Sequence, residues 1–331
     1  MTAATSIPNL VIRPIAGEAD LPALAAIAQR CNQADQVDDL PSVETLAAWL
    51  RHLVNTDPQA DILLAEVAGQ LVGYQFTAWR HETGGAYLYN LSGYLDPDYR
   101  RQGLGTALVE RGEARLRAVA ALHPAEAPRS FQTFTGTTRL GKLALFERRG
   151  YHTERHFYEM LNSRLDALPP APLPPGVELR PVDRNDQPLL HTIWEASEEA
   201  FRDHWGSSEH TDEEFLRLME SPETEPDLWQ VAWDTATGQV AGVSINSIPA
   251  AENAAHGRKR GWVDDLSVRR PYRRRGLGRA LLLNSLSALR ARGLTEVGLG
   301  VDAENPTGAL GLYESVGFKT FQHSVALRKP L

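Results

Sequence analysis

Residues 269–279 read RRPYRRRGLGR, six arginines around a Gly-Leu-Gly, in a chain whose net charge is −8. An apolar run follows at once, so the glycines stand where a strand gives way to a helix. Glycine leaves room for an anion to approach the first, unpaired N–H groups of a helix, and the helix dipole adds attraction. Arginine supplies charge and paired donors. Arg273, Arg274, Arg275, Gly276, Leu277, Gly278 and Arg279 therefore read as a phosphate cradle. The spacing recurs at Arg100, Arg101, Gln102, Gly103 and Gly105.

Two familiar phosphate motifs do not fit. A dinucleotide fingerprint needs a third glycine, where Leu281 and Leu108 stand. GTTRLGKL, residues 136–143, approaches a nucleoside-triphosphate loop but ends in Leu143 rather than a magnesium-binding hydroxyl residue.

The elements that must hold these loops occur twice. LDPDYRRQGLGTALVERGEARLRA matches VRRPYRRRGLGRALLLNSLSALRA, with Gly103 and Gly276 related by an offset of 173 residues. Such a period indicates a duplicated domain rather than a solenoid. In each half a strand leads into a helical region, two strands turn at a glycine, and a further strand enters the Arg/Gly loop and a long helix. A strand, a helix and a last strand complete the half. This order predicts an α/β (α+β) fold of two tandem domains, each a mixed, mostly antiparallel twisted sheet flanked by helices. Proline-rich DALPPAPLPPG reads as a linker, giving domains at 1–165 and 177–331 with the linker at 166–176.

Composition narrows the function. The chain holds 42% hydrophobic and 23% charged residues among 331, which suits a globular protein of about two domains. Its acidic balance argues against nucleic-acid binding, and no apolar run approaches membrane-spanning length. The first residues, MTAATSIPNLVIRP, lack the basic and apolar regions of a signal peptide. Cys31 is the single cysteine, in an Ala/Leu helix pattern where a small packed residue is expected, and cytoplasmic residence is the expectation. His152 and His156 lack the glutamate of a zinc-binding HExxH, so no metal is expected. Residues 251–261 read as an exposed loop.

R-x-x-G-x-G between a strand and a helix resembles motif A of the GCN5-related N-acetyltransferases (GNAT). VDAENPTGALGLYESVGF resembles that family's motif B, placing Asn305 and Tyr313 beside a thioester. The resemblance implies acetyl-CoA as cofactor and a small-molecule amine as acceptor. It implies Tyr313 as the acid that protonates the leaving thiolate, with a backbone N–H near Leu266–Val268 for the oxyanion. A strand carboxylate, Asp264 or Asp265, would be the base. Neighbouring strand residues face opposite ways, so at most one of the two faces the site, with Asp264 favoured over Asp265. Asp203, His204 and Trp205 would line the acceptor site.

The first half departs from the pattern. Leu91 stands opposite Asp264 and Phe146 opposite Tyr313, so it is expected to bind acetyl-CoA without catalysing transfer. An acyl-CoA-binding regulatory protein is the alternative function. A monomer with paired domains and a homodimer both remain compatible with the sequence.

Overall fold

The computed structural model describes residues 7–305 and 308–331. The chain forms two compact units. Unit 1 takes the chain up to His156 together with residues 211–217 and 323–331, and unit 2 takes residues 157–210 and 218–322.

Unit 1 begins with β1 (Leu10–Pro14), α1 (Leu21–Asp35), α2 (Val43–Arg51) and the short α3 (Pro58–Asp61). Then come β2 (Ile62–Val67), β3 (Gln70–His81), β4 (Tyr87–Leu95) and α4 (Leu104–Ala120). Next are β5 (Arg129–Gly136), α5 (Leu140–Arg148) and β6 (His152–Asn162). In α1, Leu21, Leu24, Ile27 and Cys31 recur at helical spacing and bury against Ile62, Leu64 and Tyr74.

The later elements are β7 (Val177–Arg180), α6 (Gln187–Phe201), α7 (Asp212–Glu220), β8 (Gln230–Asp234) and β9 (Val240–Ser247). They continue through α8 (Ala250–His256), β10 (Arg260–Val268), α9 (Leu277–Ala291), β11 (Glu296–Asp302), α10 (Ala309–Ser315) and β12 (Lys319–Pro330). Leucines 282, 283, 286 and 289 of α9 pack with Val263, Val297 and Leu299 of the sheet and with Tyr313 of α10.

The strands of the two units follow one plan. In unit 1 the strands run β1-β2-β3-β4-β5-β12, antiparallel except for the parallel β4–β5 pair. In unit 2 they run β7-β8-β9-β10-β11-β6, antiparallel except for β10–β11. Each unit is thus a mixed, mostly antiparallel sheet flanked by helices.

The units are not cut at the proline-rich segment, where the sequence pattern places the boundary. Phe157–Asn162 of β6 pair with β11 inside unit 2, and Ser324–Pro330 of β12 pair with β5 inside unit 1. Either strand has the alternation to complete either sheet, so composition alone does not assign them. Within the proline-rich segment, Leu168 and Ala171 pack on the α9 core of unit 2, and Leu173 packs beside Leu277 and Leu281. The expected loop at 251–261 contains α8, closed by Gly257 at φ 61°. Asn253 pins the chain between α8 and β10, its side-chain amide bonding with both the N–H and the carbonyl of Arg260.

Candidate active site

In each unit the parallel strand pair comes apart at the same motif position. The β10–β11 ladder ends at Val263↔Leu299, while β10 continues along β9 to Val268. The β4–β5 ladder ends at Asn90↔Gln132, and β4 continues along β3 to Leu95. Beyond these points the backbone edge that faced the parallel neighbour has no ladder partner among the described residues, and it leads directly into the Arg/Gly loop.

The loops have matching backbones. Arg274 and Gly276 lie at φ 61° and 83°, Arg101 and Gly103 at 64° and 86°. Left-handed residues alternating with ordinary ones turn successive N–H groups toward one point, an anion-binding concavity. A Cβ placed on Gly276 would meet no atom within 4 Å, so the concavity is open. Gly278 sits closer to its surroundings, with Val268 and Leu312 methyls 3.7 and 3.9 Å from such a carbon.

The first arginine of each motif is engaged by protein groups. Arg273 donates through Nε to the Val268 carbonyl at 2.9 Å, through Nη2 to the Ala200 carbonyl at 2.9 Å, and through Nη1 to Asp203 at 3.0 Å. Arg100 repeats this, with Nε on the Leu95 carbonyl at 3.1 Å and both terminal nitrogens on Asp35 at 2.6 and 3.0 Å. Arg273 ties the end of its strand and the end of α6 to the loop, and Arg100 does the same with α1. Arg274 and Arg275 are exposed, the latter over the Tyr272 ring at 5.8 Å, and Arg279 reaches Ser315 on α10 at 2.8 Å. In unit 1, Gln102 bonds the Asp98 carbonyl at 3.0 Å.

Asp203, expected at the acceptor, is held by Arg270 and Arg273, which keep its carboxyl well below the usual range. His204 is half-buried with no hydrogen-bond partner on Nδ1, and burial together with the Arg273 charge lowers its pKa. Trp205 packs against Phe157, with ring centroids 6.0 Å apart.

The two carboxylates of β10 do not obey simple alternation. Pairing with β9 jumps from Val263↔Asn246 to Asp265↔Ile245, so Asp264 is the extra residue of a β-bulge. The rule that one carboxylate faces each way is interrupted at this point. Asp264 is exposed on β10, and desolvation by the groups packed around its carboxyl raises its pKa to about 7, with the Ser247 hydroxyl opposing the rise and the charges of Asp265 and Glu223 adding to it. Asp265 is raised by desolvation to about 6. Tyr313 is buried, and burial with the nearby Asp265 charge pushes its phenol up to about 12. Its ring lies 6.1 Å from that of Phe318. Asn305 comes after β11 in a turn whose N–H bonds the Asp302 carbonyl at 3.1 Å.

Unit 1 has apolar side chains at the corresponding places: Leu91 and Phe146 are both buried in its core. A cavity of about 360 Å³ nevertheless opens beside them, lined by Arg101, Gly103, Gly105 and Lys142 among others. Sequence reading did not single out Lys142, although it lies within GTTRLGKL. It also missed Ser247 and Glu223, which carry no motif.

A splayed parallel pair opening onto a glycine cradle at a helix start defines the acetyltransferase fold, and comparisons with known proteins agree. A family model described as "Acetyltransferase (GNAT) family" matches residues 190–318, and one described as "Acetyltransferase (GNAT) domain" matches residues 58–153. The chain is 32% identical to a mycothiol acetyltransferase of Acidothermus cellulolyticus over 68% of this chain and 66% of that one. It is 29% identical to a mycothiol acetyltransferase of Thermobispora bispora over 94% and 96%. A crystal structure of a GCN5-related N-acetyltransferase from Sphaerobacter thermophilus superposes with a TM-score of 0.71 at 31% identity, covering 98% of this chain and 96% of that one. The chain belongs to the GNAT family, as an acyltransferase with two such domains in tandem. Among the described residues no helix is long and apolar enough to cross a membrane, and no group of three or more potential metal ligands is found.

Proposed function

We propose that the protein moves an acetyl group from acetyl-CoA directly to a primary amine of a small molecule, and that this chemistry belongs to unit 2. The observation that carries the reading is the collection of Asp264, Asp265 and Tyr313, all with raised pKa values, around the notch where β10 leaves β11. Unit 1 has only Leu91 and Phe146 there.

The cradle formed by residues 274–278 would hold the pyrophosphate on backbone N–H groups, with Arg274 and Arg275 adding charge. Acetyl-CoA supplies an activated acyl carbon. Asp264, ionised above about pH 7, accepts the proton of the attacking ammonium, directly or through water. Backbone N–H groups near Leu266–Val268, freed by the splay, are available to the oxyanion. Tyr313 remains protonated well above neutral pH and can donate to the departing thiolate. Unit 1 keeps the cradle and cavity but lacks acid and base, which suits binding acetyl-CoA without transfer to an acceptor.

The names of the relatives suggest that the acceptor is a mycothiol-type precursor amine, one member of the small-molecule class. The test is CoA release from acetyl-CoA against thiol-sugar amines, aminoglycosides, polyamines and amino acids, with Tyr313→Phe in parallel. Turnover with one class, depressed in the variant, supports the reading. Tight acetyl-CoA binding with no turnover across the panel would favour a binding protein instead.

A further inference from the structure

Lys142 has no part in the chemistry assigned to unit 2. It lies one turn before Phe146 on α5, lines the unit 1 cavity together with Arg101, Gly103 and Gly105, and donates from Nζ to the Phe134 carbonyl at 3.0 Å. Phe134 belongs to the part of β5 beyond its ladder with β4, so the amine is held where the parallel pair has come apart. We propose that Lys142 is a self-acylation site, taking one acetyl group from an acyl-CoA thioester seated in the unit 1 cradle. The inference rests on the reading that unit 1 binds acetyl-CoA.

An amine at such a place needs no general base if it is already neutral. Lys142 is half-buried; desolvation by the groups packed around Nζ, reinforced by the charge of Arg139 and opposed by those of Asp35 and Cys31, lowers its pKa to about 7. Arg100, Arg101 and Arg148 are further cations lining the same cavity. The Nζ lone pair forms the C–N bond at the thioester carbonyl and the C–S bond breaks. The electron pair leaves with sulfur, and the surplus proton of nitrogen ends on the thiolate through solvent. The products are one amide and free CoA, so the reaction stops after one turnover per chain.

The chain has four lysines, Lys142, Lys259, Lys319 and Lys329, so peptide mass spectrometry can track every one. The full-length protein would be incubated with acetyl-CoA and no acceptor, as wild type, Lys142→Arg and Gly103→Glu, and with excess free CoA as competitor. CoA-binding stoichiometry would be measured alongside. Acetylation of Lys142 at least tenfold faster than of the other lysines, suppressed by free CoA and by Gly103→Glu, is the expected result. Turnover with acceptor should be unchanged in Lys142→Arg. Two CoA molecules bound, one of them lost in Gly103→Glu, with Lys142 unmodified, would overturn self-acylation while leaving the cofactor reading intact. A stoichiometry that Gly103→Glu leaves unaltered would overturn the cofactor reading of unit 1, and the proposal with it. Modification of Lys142 that free CoA does not suppress would reduce it to solution chemistry.

Discussion

Asp203 accepts a hydrogen bond from Arg273 at 3.0 Å, and this contact joins the end of α6 to the Arg/Gly loop. Both residues carry charges suited to ligands, an amine for one and a phosphate for the other. Their mutual engagement couples the two sites to the scaffold of the loop. Asp203→Asn is therefore expected to raise KM for acetyl-CoA several-fold through a loosened cradle, with KM for the acceptor little changed. Steady-state kinetics with each substrate varied in turn will distinguish the two. A selective rise in the acceptor's KM would return Asp203 to the acceptor site.

Tyr313→Phe keeps the packing against Phe318 and removes the proton. A loss in kcat of about tenfold or more, with acetyl-CoA affinity nearly unchanged, is expected from the removal of a general acid. Rapid-quench or steady-state turnover alongside a binding isotherm separates the two effects. Equal loss of affinity and rate would mark the residue as structural.

The pH profile should identify the base. A carboxyl whose pKa is raised accepts a proton only once ionised, so the rate rises with pH and levels above that pKa. Desolvation raises both Asp264 and Asp265, so with either as the base the inflection lies above the usual carboxylate range, and the variants assign it. Asp264→Asn is expected to abolish the inflection while Asp265→Asn retains it. The reverse result would move the role by one residue.

Leu327 of β12 is fully buried in the unit 1 core beside Phe131 and Tyr151. Lys329, two residues on, donates to the buried Glu113 of α4 at 3.1 Å. Leu327→Ala should cost about 2–5 kcal/mol, the range for emptying a well-packed leucine site. Unit 1 should bear this loss, read by hydrogen exchange on β4 and β5 during urea titration. A loss confined to β10 and β11 would contradict the observed pairing.

Much of the fold, and the position of the two Arg/Gly loops within it, is legible in the sequence. R-x-x-G-x-G has a fixed local spacing, and the two loops adopt the same backbone because that spacing dictates it. Leu91 and Phe146 stand out by alignment with Asp264 and Tyr313. Other features depend on partners distant in sequence. The bulge at Asp264 arises where β10 meets β9, and nothing within VDDLSV announces it. An arginine aimed at phosphate and one aimed at Asp203 look alike in one dimension, so the sequence hides the task of Arg273. α8 is a different kind of omission, since an alanine-rich run stopped by Gly257 is itself a helix signal.

The pairing of β12 with β5 also sets an order of events during synthesis. Unit 1 appears first on the ribosome, yet its sheet remains one strand short until residues 323–331 have been made. Unit 2 has β6 in hand before its own first strand is translated. The later half of the chain can thus close its sheet as soon as β11 emerges, whereas the earlier half waits with the edge of β5 exposed. The half translated first is the half that finishes last, and that interval is when an open strand edge is most vulnerable to pairing with another chain.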